Sequence, residues 1–485
     1  MQSRGIHFLW RKESGERNSR SEKFPAHQWL ATLKSAKLGL APLGLKHALF
    51  GRSARQVARR KFFKATTLFI FTPPLARPCL LLESELRSRR PAGSLFLCAS
   101  SVSMYAFIRQ YLRMNILMLT NAYTPLVGGL TSSVRRWKES LEELGHTVKI
   151  VAPSYDVMPE EEGVIRVPSW KNVMNTPYSL PFPFVALTLK SLHGFVPDVI
   201  HVHHPFLLGT AGLRLASTRH IPIVYTYHTR IEHYMHYVKG SQMVAGSVQQ
   251  TIAQFASLCD AVVVPSASMV PLLEEMGVQA PISVIPTAVD TAVFEKRDGR
   301  RFRGAQNIPA DAFLVGFVSR LAPEKNPLFL MRSICLFLKR QPGAYAAIAG
   351  DGPERTSMER IARRHGVQDR MRFTGTLTGT ELADAYDAFS VFAFASKSET
   401  QGIVLAEALQ TGTPIVALHA TGSSDVVHHG RNGFLIKQES KESFAEGLAR
   451  VALLSPNIYE KFRRASFQEG EHFAPSLCAH KLASL

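Results

Sequence analysis

The feature that most constrains the fold begins at Met114. An apolar run at 115–120 is followed by the pair Gly128 and Gly129, then by Val134, Trp137, Leu141 and Leu144 at helical spacing, then by a second apolar run at 146–152. A run without polar alternation is what a strand covered on both faces needs, and the helix between two such runs is a crossover. Strand, glycine turn, helix and strand in that order open a doubly wound parallel α/β domain. Further runs follow at 199–202, 223–227, 261–264 and 282–285, each separated by enough chain for a crossover. A second series starts at 313–318 and continues through 344–349, 371–374, 391–395 and 414–417. The pattern predicts two Rossmann-like domains with parallel sheets, 114–295 and 296–485, with 286–309 as the connection between them. No short internal repeat is present, which excludes solenoids and propellers.

The chain has 485 residues and a formal net charge of +19, a value that on its own suggests nucleic acid. The charge is not evenly spread: residues 1–113 hold 21 Lys and Arg against 5 Glu and no Asp, whereas 114–485 hold 36 basic and 33 acidic side chains. The basicity belongs to the N-terminal segment, which shows no sustained period and lacks the interleaved aromatics of a stacking surface, so no nucleic-acid partner is expected. That segment is expected to be a poorly ordered extension, dispensable for activity, with Met114 a candidate for the true initiator; the alternative is a basic tether to a membrane or partner. Charges at Arg4, Arg11, Lys12, Glu13 and Glu16 argue against a secretory signal, and the uncharged stretch 92–108 is short and rich in small residues for a membrane span. Cysteines at 79, 98, 259, 335 and 478 form no pair with zinc-site spacing.

Two motifs carry charge to strand ends. After the run 391–395 come Glu399, Gly402 and Glu407, with Ile403 and Val404 opening a helix. Gly402 lets a ligand approach the backbone, and the helix start favours an anion, while a carboxylate on either side suits a ligand that also brings hydroxyls. After the run 313–318 come Arg320 and Lys325; a guanidinium can grip two phosphate oxygens and an ammonium adds a point charge, as a departing diphosphate requires. The chain contains no Asp-x-Asp triplet, and nothing in it suggests a metal-bridged diphosphate.

Arg320 and Lys325, the turn 350–353, the strand end 373–376 and the element 399–407 together resemble family 4 of the retaining glycosyltransferases, which have the GT-B fold of two facing Rossmann-like domains. The resemblance covers about 114–485. It implies a donor site in the second domain: Glu399 on the hydroxyls of the transferred hexose, Glu407 on the ribose, and backbone at Gly402, Ile403 and Val404, with Gly128 and Gly129 across the cleft, on the diphosphate. Thr376 belongs to the same donor set. Gln401 stands where family members often carry Phe. The donor implied is a nucleotide diphosphate sugar, a UDP-sugar first, with no cofactor and no metal.

Histidines cluster after two strands, His201, His203 and His204 in one place and His228, His233 and His236 in the other, without the spacing and nearby acid of a zinc site. The resemblance puts His228 beside the reacting sugar. The segments 203–209 and 225–237 are similar to the branch that glucosylates diacylglycerol, so a lipid or lipid-linked acceptor and a peripheral position on the inner face of the cell membrane are expected. Trp170 and the segment 178–195, with Phe182, Phe184, Leu187, Leu189 and Lys190, together with Arg135, Arg136 and Lys138 on the polar face of the first helix, would meet an anionic membrane surface. The alternatives are a transferase of surface polysaccharide or lipopolysaccharide, a nucleotide-sugar epimerase, and a catalytically silent binding module, which would be expected to lack one of Arg320, Lys325, Glu399 or Glu407.

Overall fold

The structure is a computed structural model that describes residues 113–485 apart from 127, 159, 174–177, 183–191, 193 and 231–244. The N-terminal extension up to residue 112, the stretch 92–108, Phe184, Leu187, Leu189, Lys190, His233 and His236 therefore lie outside the described residues. Both sheets fall within one compact unit.

Seven strands form the first sheet. They are β1 (Asn115–Leu119), β2 (Thr147–Pro153), β3 (Val164–Val167) and, after a short antiparallel pair, β4 (Ser169–Trp170) and β5 (Leu180–Pro181), the strands β6 (Val199–Val202), β7 (Ile223–Thr226), β8 (Ala261–Val264) and β9 (Ile282–Val284). Their order is β3-β2-β1-β6-β7-β8-β9, parallel throughout. The second sheet has β10 (Leu314–Val318), β11 (Tyr345–Ala349), β12 (Met371–Gly375), β13 (Val391–Phe394), β14 (Ile415–Leu418) and β15 (Gly433–Ile436), again parallel, in the order β12-β11-β10-β13-β14-β15. The expectation of two parallel Rossmann-like sheets is met. The edge strands β3 and β15 were not among the predicted runs; Arg166 interrupts the apolar pattern of β3, and β15 is a short Gly-Phe-Leu-Ile run.

The apolar runs work as strands covered on both faces. In β1, Leu117 and Leu119 enter the core on one side while Ile116 and Met118 enter the core on the other. In β13, Val391 and Ala393 face one core, and Phe392 and Phe394 the other. Alternation at period two, with both faces buried, is what makes the runs continuous.

Four helices matter for the site: α1 (Gly129–Glu143), α2 (Gly379–Ala388), α3 (Ile403–Leu409) and α4 (Pro475–Ala483). Val134, Trp137 and Leu141 are the buried stripe of α1. The chain does not divide cleanly at 296. Helix α4 packs on α1, and its Cys478 joins the core formed by Val134 and Trp137. The charged connection is folded too, into helices Thr291–Glu295 and Gly299–Ala305, and two of its cations are paired: Arg297 meets Asp387 at 3.1 Å and Arg301 meets Asp384 at 2.5 Å, both on α2.

The strand order decides where chemistry can sit. β1 pairs with β2 on one side and β6 on the other, and β10 pairs with β11 and β13. The chain leaves each central strand in opposite directions, so a crevice opens at its carboxyl end. Residues after β10 and β13 meet in one crevice, and residues after β1 and β6 in the other.

Candidate active site

Arg320 and Lys325 follow β10, and Glu399 follows β13. Lys325 Nζ donates to Glu399 Oε1 at 2.5 Å, and each side chain is only 17% exposed. Arg320 pairs with Glu324, whose carboxylate is almost fully buried while the guanidinium keeps 47% of its surface open. The two loops are tied together where Ser398 Oγ donates to the Glu324 carbonyl at 3.0 Å. One cation thus faces solvent with a buried carboxylate behind it, and the other is held against Glu399.

The turn 350–353 explains why the Arg320 loop keeps its shape. Gly350 (φ +127°) and Gly352 (φ +155°) lie directly under that loop, and a Cβ would fall 1.9 Å from the Ser319 carbonyl oxygen in the first case and 2.5 Å from that of Leu321 in the second. The close approach permits Leu321 N–H to donate to Asp351 O, and Glu354 N–H to Leu321 O, both at 2.9 Å. These glycines serve backbone packing around the site.

Gly402 adopts φ +77° at the start of α3. On α3, Glu407 accepts a hydrogen bond from Tyr386 Oη at 2.9 Å. Burial raises the Glu407 pKa above the usual carboxylate range, Arg136 opposes that rise, and Asp290 adds to it. The opposite wall is α1. A Cβ on Gly129 would come within 3.3 Å of Ile403 Cδ1, so the two walls touch where the resemblance places the diphosphate.

Arg136 corrects the sequence reading. It is not on the solvated face of α1: its Nη1 donates to Ala288 O at 3.0 Å, and its Nε is buried without a partner. Desolvation lowers its pKa, and Glu407 is the largest opposing influence. The signal was available, since residue 136 is seven after Gly129 and therefore on the same helical face. Arg135 is exposed as expected, with Glu139 at 3.7 Å, and Lys138 is bound to Glu142 at 2.9 Å.

The histidines of β6 and of the loops after β6 and β7 form one group, with His201 and His203 buried and His204 and His228 half-buried. His203 Nδ1 and His228 Nε2 lie 2.9 Å apart, His201 Nε2 is 2.6 Å from Thr226 Oγ1, and Asn121 N–H donates to His204 Nδ1 at 3.1 Å. Burial pushes His201 and His228 down to about 3 and His204 to about 4, and burial together with the neighbouring imidazoles holds His203 well below the ordinary value. All four are neutral at physiological pH and offer hydrogen bonds without charge. Among the described residues no group of three or more His, Cys, Asp or Glu is placed to hold a metal ion.

The structure therefore brings together Lys325 with Glu399, the Arg320 loop with the loop after β13, and Gly129 with Ile403; Gly128 caps α1 beside them. Val404 packs partly into the core of the second sheet. Thr376 is exposed just beyond the edge strand β12. Sequence reasoning missed Glu324, Tyr386 and Arg136. It also missed that Gln401, 2% exposed, faces the inter-domain connection: Thr287 N–H donates to its Oε1 at 2.7 Å, and its Nε2 donates to Thr287 O at 3.0 Å.

Residues 127–293 match the family described as Glycosyltransferase Family 4, and residues 298–469 match Glycosyl transferases group 1. An alpha-monoglucosyldiacylglycerol synthase of Streptococcus pneumoniae is 31% identical over 63% of this chain and 71% of that one. A GDP-mannose-dependent alpha-mannosyltransferase of Mycobacterium tuberculosis is 30% identical over 66% of this chain and 83% of that one. The crystal structure of Anabaena Alr3699/HepE in complex with UDP-glucose shares the fold with a TM-score of 0.62 at 18% identity, over 77% of this chain and 99% of that one. With two parallel Rossmann-like sheets facing one cleft and this similarity along most of the described chain, the protein belongs to glycosyltransferase family 4 and is a GT-B glycosyltransferase.

Proposed function

We propose that the chain is a retaining hexosyltransferase that moves glucose from a UDP-sugar to a membrane lipid such as diacylglycerol, without a metal. The observation that carries the reading is the Lys325–Glu399 pair at the carboxyl edge of the second sheet, close to the contact of Gly129 with Ile403. In this reading Glu399 accepts hydrogen bonds from hexose hydroxyls, and Glu407, held by Tyr386, takes the ribose. Gly128, Gly129, Gly402, Ile403 and Val404 lend backbone to the diphosphate, and Thr376 contributes to the donor site from the end of β12.

As the bond from the anomeric carbon to the phosphate oxygen breaks, negative charge grows on the departing diphosphate. In this reading Arg320 and Lys325 receive it, which makes charge stabilisation in the transition state the main contribution of this wall. The acceptor oxygen joins the anomeric carbon on the face the diphosphate leaves, and its proton ends on the released diphosphate. His228, held neutral by desolvation, hydrogen-bonds a sugar hydroxyl without adding a charge. Similarity to glucosyldiacylglycerol synthases supports glucose and a lipid. Similarity to GDP-mannose-dependent mannosyltransferases at comparable identity supports a second reading with a guanosine donor and mannose.

A position on the inner membrane face is part of the proposal. Trp170 and Tyr178 are 65% and 53% exposed at one end of the first domain, with Phe182 edge-on to Trp170 at 5.4 Å between ring centroids. Among the described residues no helix is long and apolar enough to cross a membrane. Purified protein incubated with labelled UDP-glucose, UDP-galactose and GDP-mannose and with diacylglycerol vesicles should yield glucosyldiacylglycerol from UDP-glucose. Mannosyl product from GDP-mannose alone would favour the second reading.

A further inference from the structure

We propose that Thr400 and Gln401 are positioning residues that lock the loop carrying Glu399 to the loop carrying His228 and so set the spacing of the two walls. The inference rests on the reading of Glu399 and His228 as site residues and adds how they are held in register. Thr400 Oγ1 donates to the main-chain carbonyl of His228 at 2.9 Å, and the Thr400 carbonyl accepts from Ser266 Oγ at 2.6 Å. One residue on, the Gln401 amide takes both backbone groups of Thr287, at 2.7 and 3.0 Å. Thr287 in turn places its Oγ1 3.4 Å from Ser133 Oγ, one turn along α1 from Gly129.

A continuous set of bonds thus runs from His228 through Thr400 and Gln401, beside Glu399, to the connection at Thr287 and on to α1. A primary amide of this length offers a donor and an acceptor together to one backbone unit. The seam is dry, with Thr287, Thr400 and Gln401 between 2% and 9% exposed, so water does not readily replace a lost partner. A residue without polar atoms at 401 would leave the Thr287 N–H and carbonyl bare. The loop holding Glu399 could then shift against His228 while each domain stayed folded.

The test uses the full chain with two readouts, hydrogen exchange at the Thr287 amide and transfer kinetics with UDP-glucose and diacylglycerol vesicles. Gln401→Met, similar in length but apolar, should speed exchange at Thr287 about tenfold or more and lower kcat about ten- to a hundredfold, with the donor KM changed less than about threefold, because misplacement affects the transition state more than ground-state binding. Thr400→Val should lower kcat about tenfold and Thr400→Ser should restore it. Should Gln401→Met not fold, the Thr400 pair carries the same decision. Unchanged kcat in Gln401→Met and Thr400→Val, or a loss confined to KM, overturns the positioning role. Failure of the transferase reading looks different: the unaltered chain then transfers no sugar at all, and faster exchange at Thr287 would reduce the pair to a structural clamp, which also overturns the proposal.

Discussion

The two walls of the cleft are built from opposite electrostatic materials. The wall from the second sheet carries Arg320, Lys325, Glu324 and Glu399, ionisable side chains arranged in close pairs. The wall from the first sheet carries His201, His203, His204 and His228, all held neutral by burial. The contrast is physically sensible for a reaction that expels an anion. Charge belongs where charge develops, and a neutral surface that still donates and accepts hydrogen bonds suits the sugar and its acceptor. Two cations interrupt the neutral wall: Arg136, whose charge Glu407 favours electrostatically, and Arg230, whose Nη1 donates to Thr421 Oγ1 of the second domain at 3.1 Å.

The largest expected effect breaks the charged wall at its centre. Glu399→Gln should lower kcat by about a hundredfold or more while the unfolding midpoint stays near that of the unaltered chain, because in the proposed reading the lost interaction is with the sugar. Normal turnover in a folded variant would remove Glu399 from the site. Next, Arg320→Ala should cost about 3–4 kcal/mol of transition-state stabilisation, read as a fall of roughly 10²–10³ in kcat/KM for the donor. Unchanged donor kinetics would take Arg320 off the diphosphate.

The neutral wall is tested by pH. His201 and His228 titrate near 3 and His204 near 4 in the folded chain, against 6.5 for a free imidazole. Their folded pKa values are depressed, so the unfolded chain binds more protons below 6.5, and stability present above that pH is lost as pH falls from 6.5 toward 3–4. At pH 5 each buried imidazole should destabilise the fold by about 1–2 kcal/mol, seen as a fall in the thermal midpoint between pH 7 and 5 that His203→Gln makes shallower. A midpoint that does not change over this range would contradict a neutral buried group.

How much of this contrast was legible in the sequence follows from how each part is encoded. The central strands were legible because burial on both faces writes an unbroken apolar run, as at 115–120 and 391–395. Arg320, Lys325 and Glu399 were legible because strand ends are where a doubly wound sheet places its loops. Arg136 was misplaced because a cation among Arg135 and Lys138 reads as a solvated stripe, although its register with Gly129 pointed to the cleft. The role of Gln401 was not legible: its bonds reach a backbone 114 residues away, and no local period records such a contact. The positive φ at Gly350 and Gly352 shows that a motif can mark a site while serving only the backbone around it.

The smallest expected effect concerns the outer surface of the first domain. Arg135 and Glu139 are about half exposed, so Arg135→Glu should change stability by no more than about 0.5 kcal/mol. The same variant should weaken sedimentation with anionic vesicles in a salt-dependent way if that face meets a membrane. Binding that is unchanged by the variant, or absent from every vesicle composition, would leave a non-membrane acceptor.

In the proposed reaction the charged wall releases a nucleotide diphosphate while the acceptor takes its place on the same face of the sugar. The most direct measurement is to incubate the purified full chain with UDP-glucose and diacylglycerol vesicles in the presence of a chelator, then identify the product by mass and its anomeric configuration by NMR. The expected product is an α-linked glucosyl lipid formed at an undiminished rate, with UDP released in equal amount. A β-linked product, or formation that stops when the chelator is added, would contradict it.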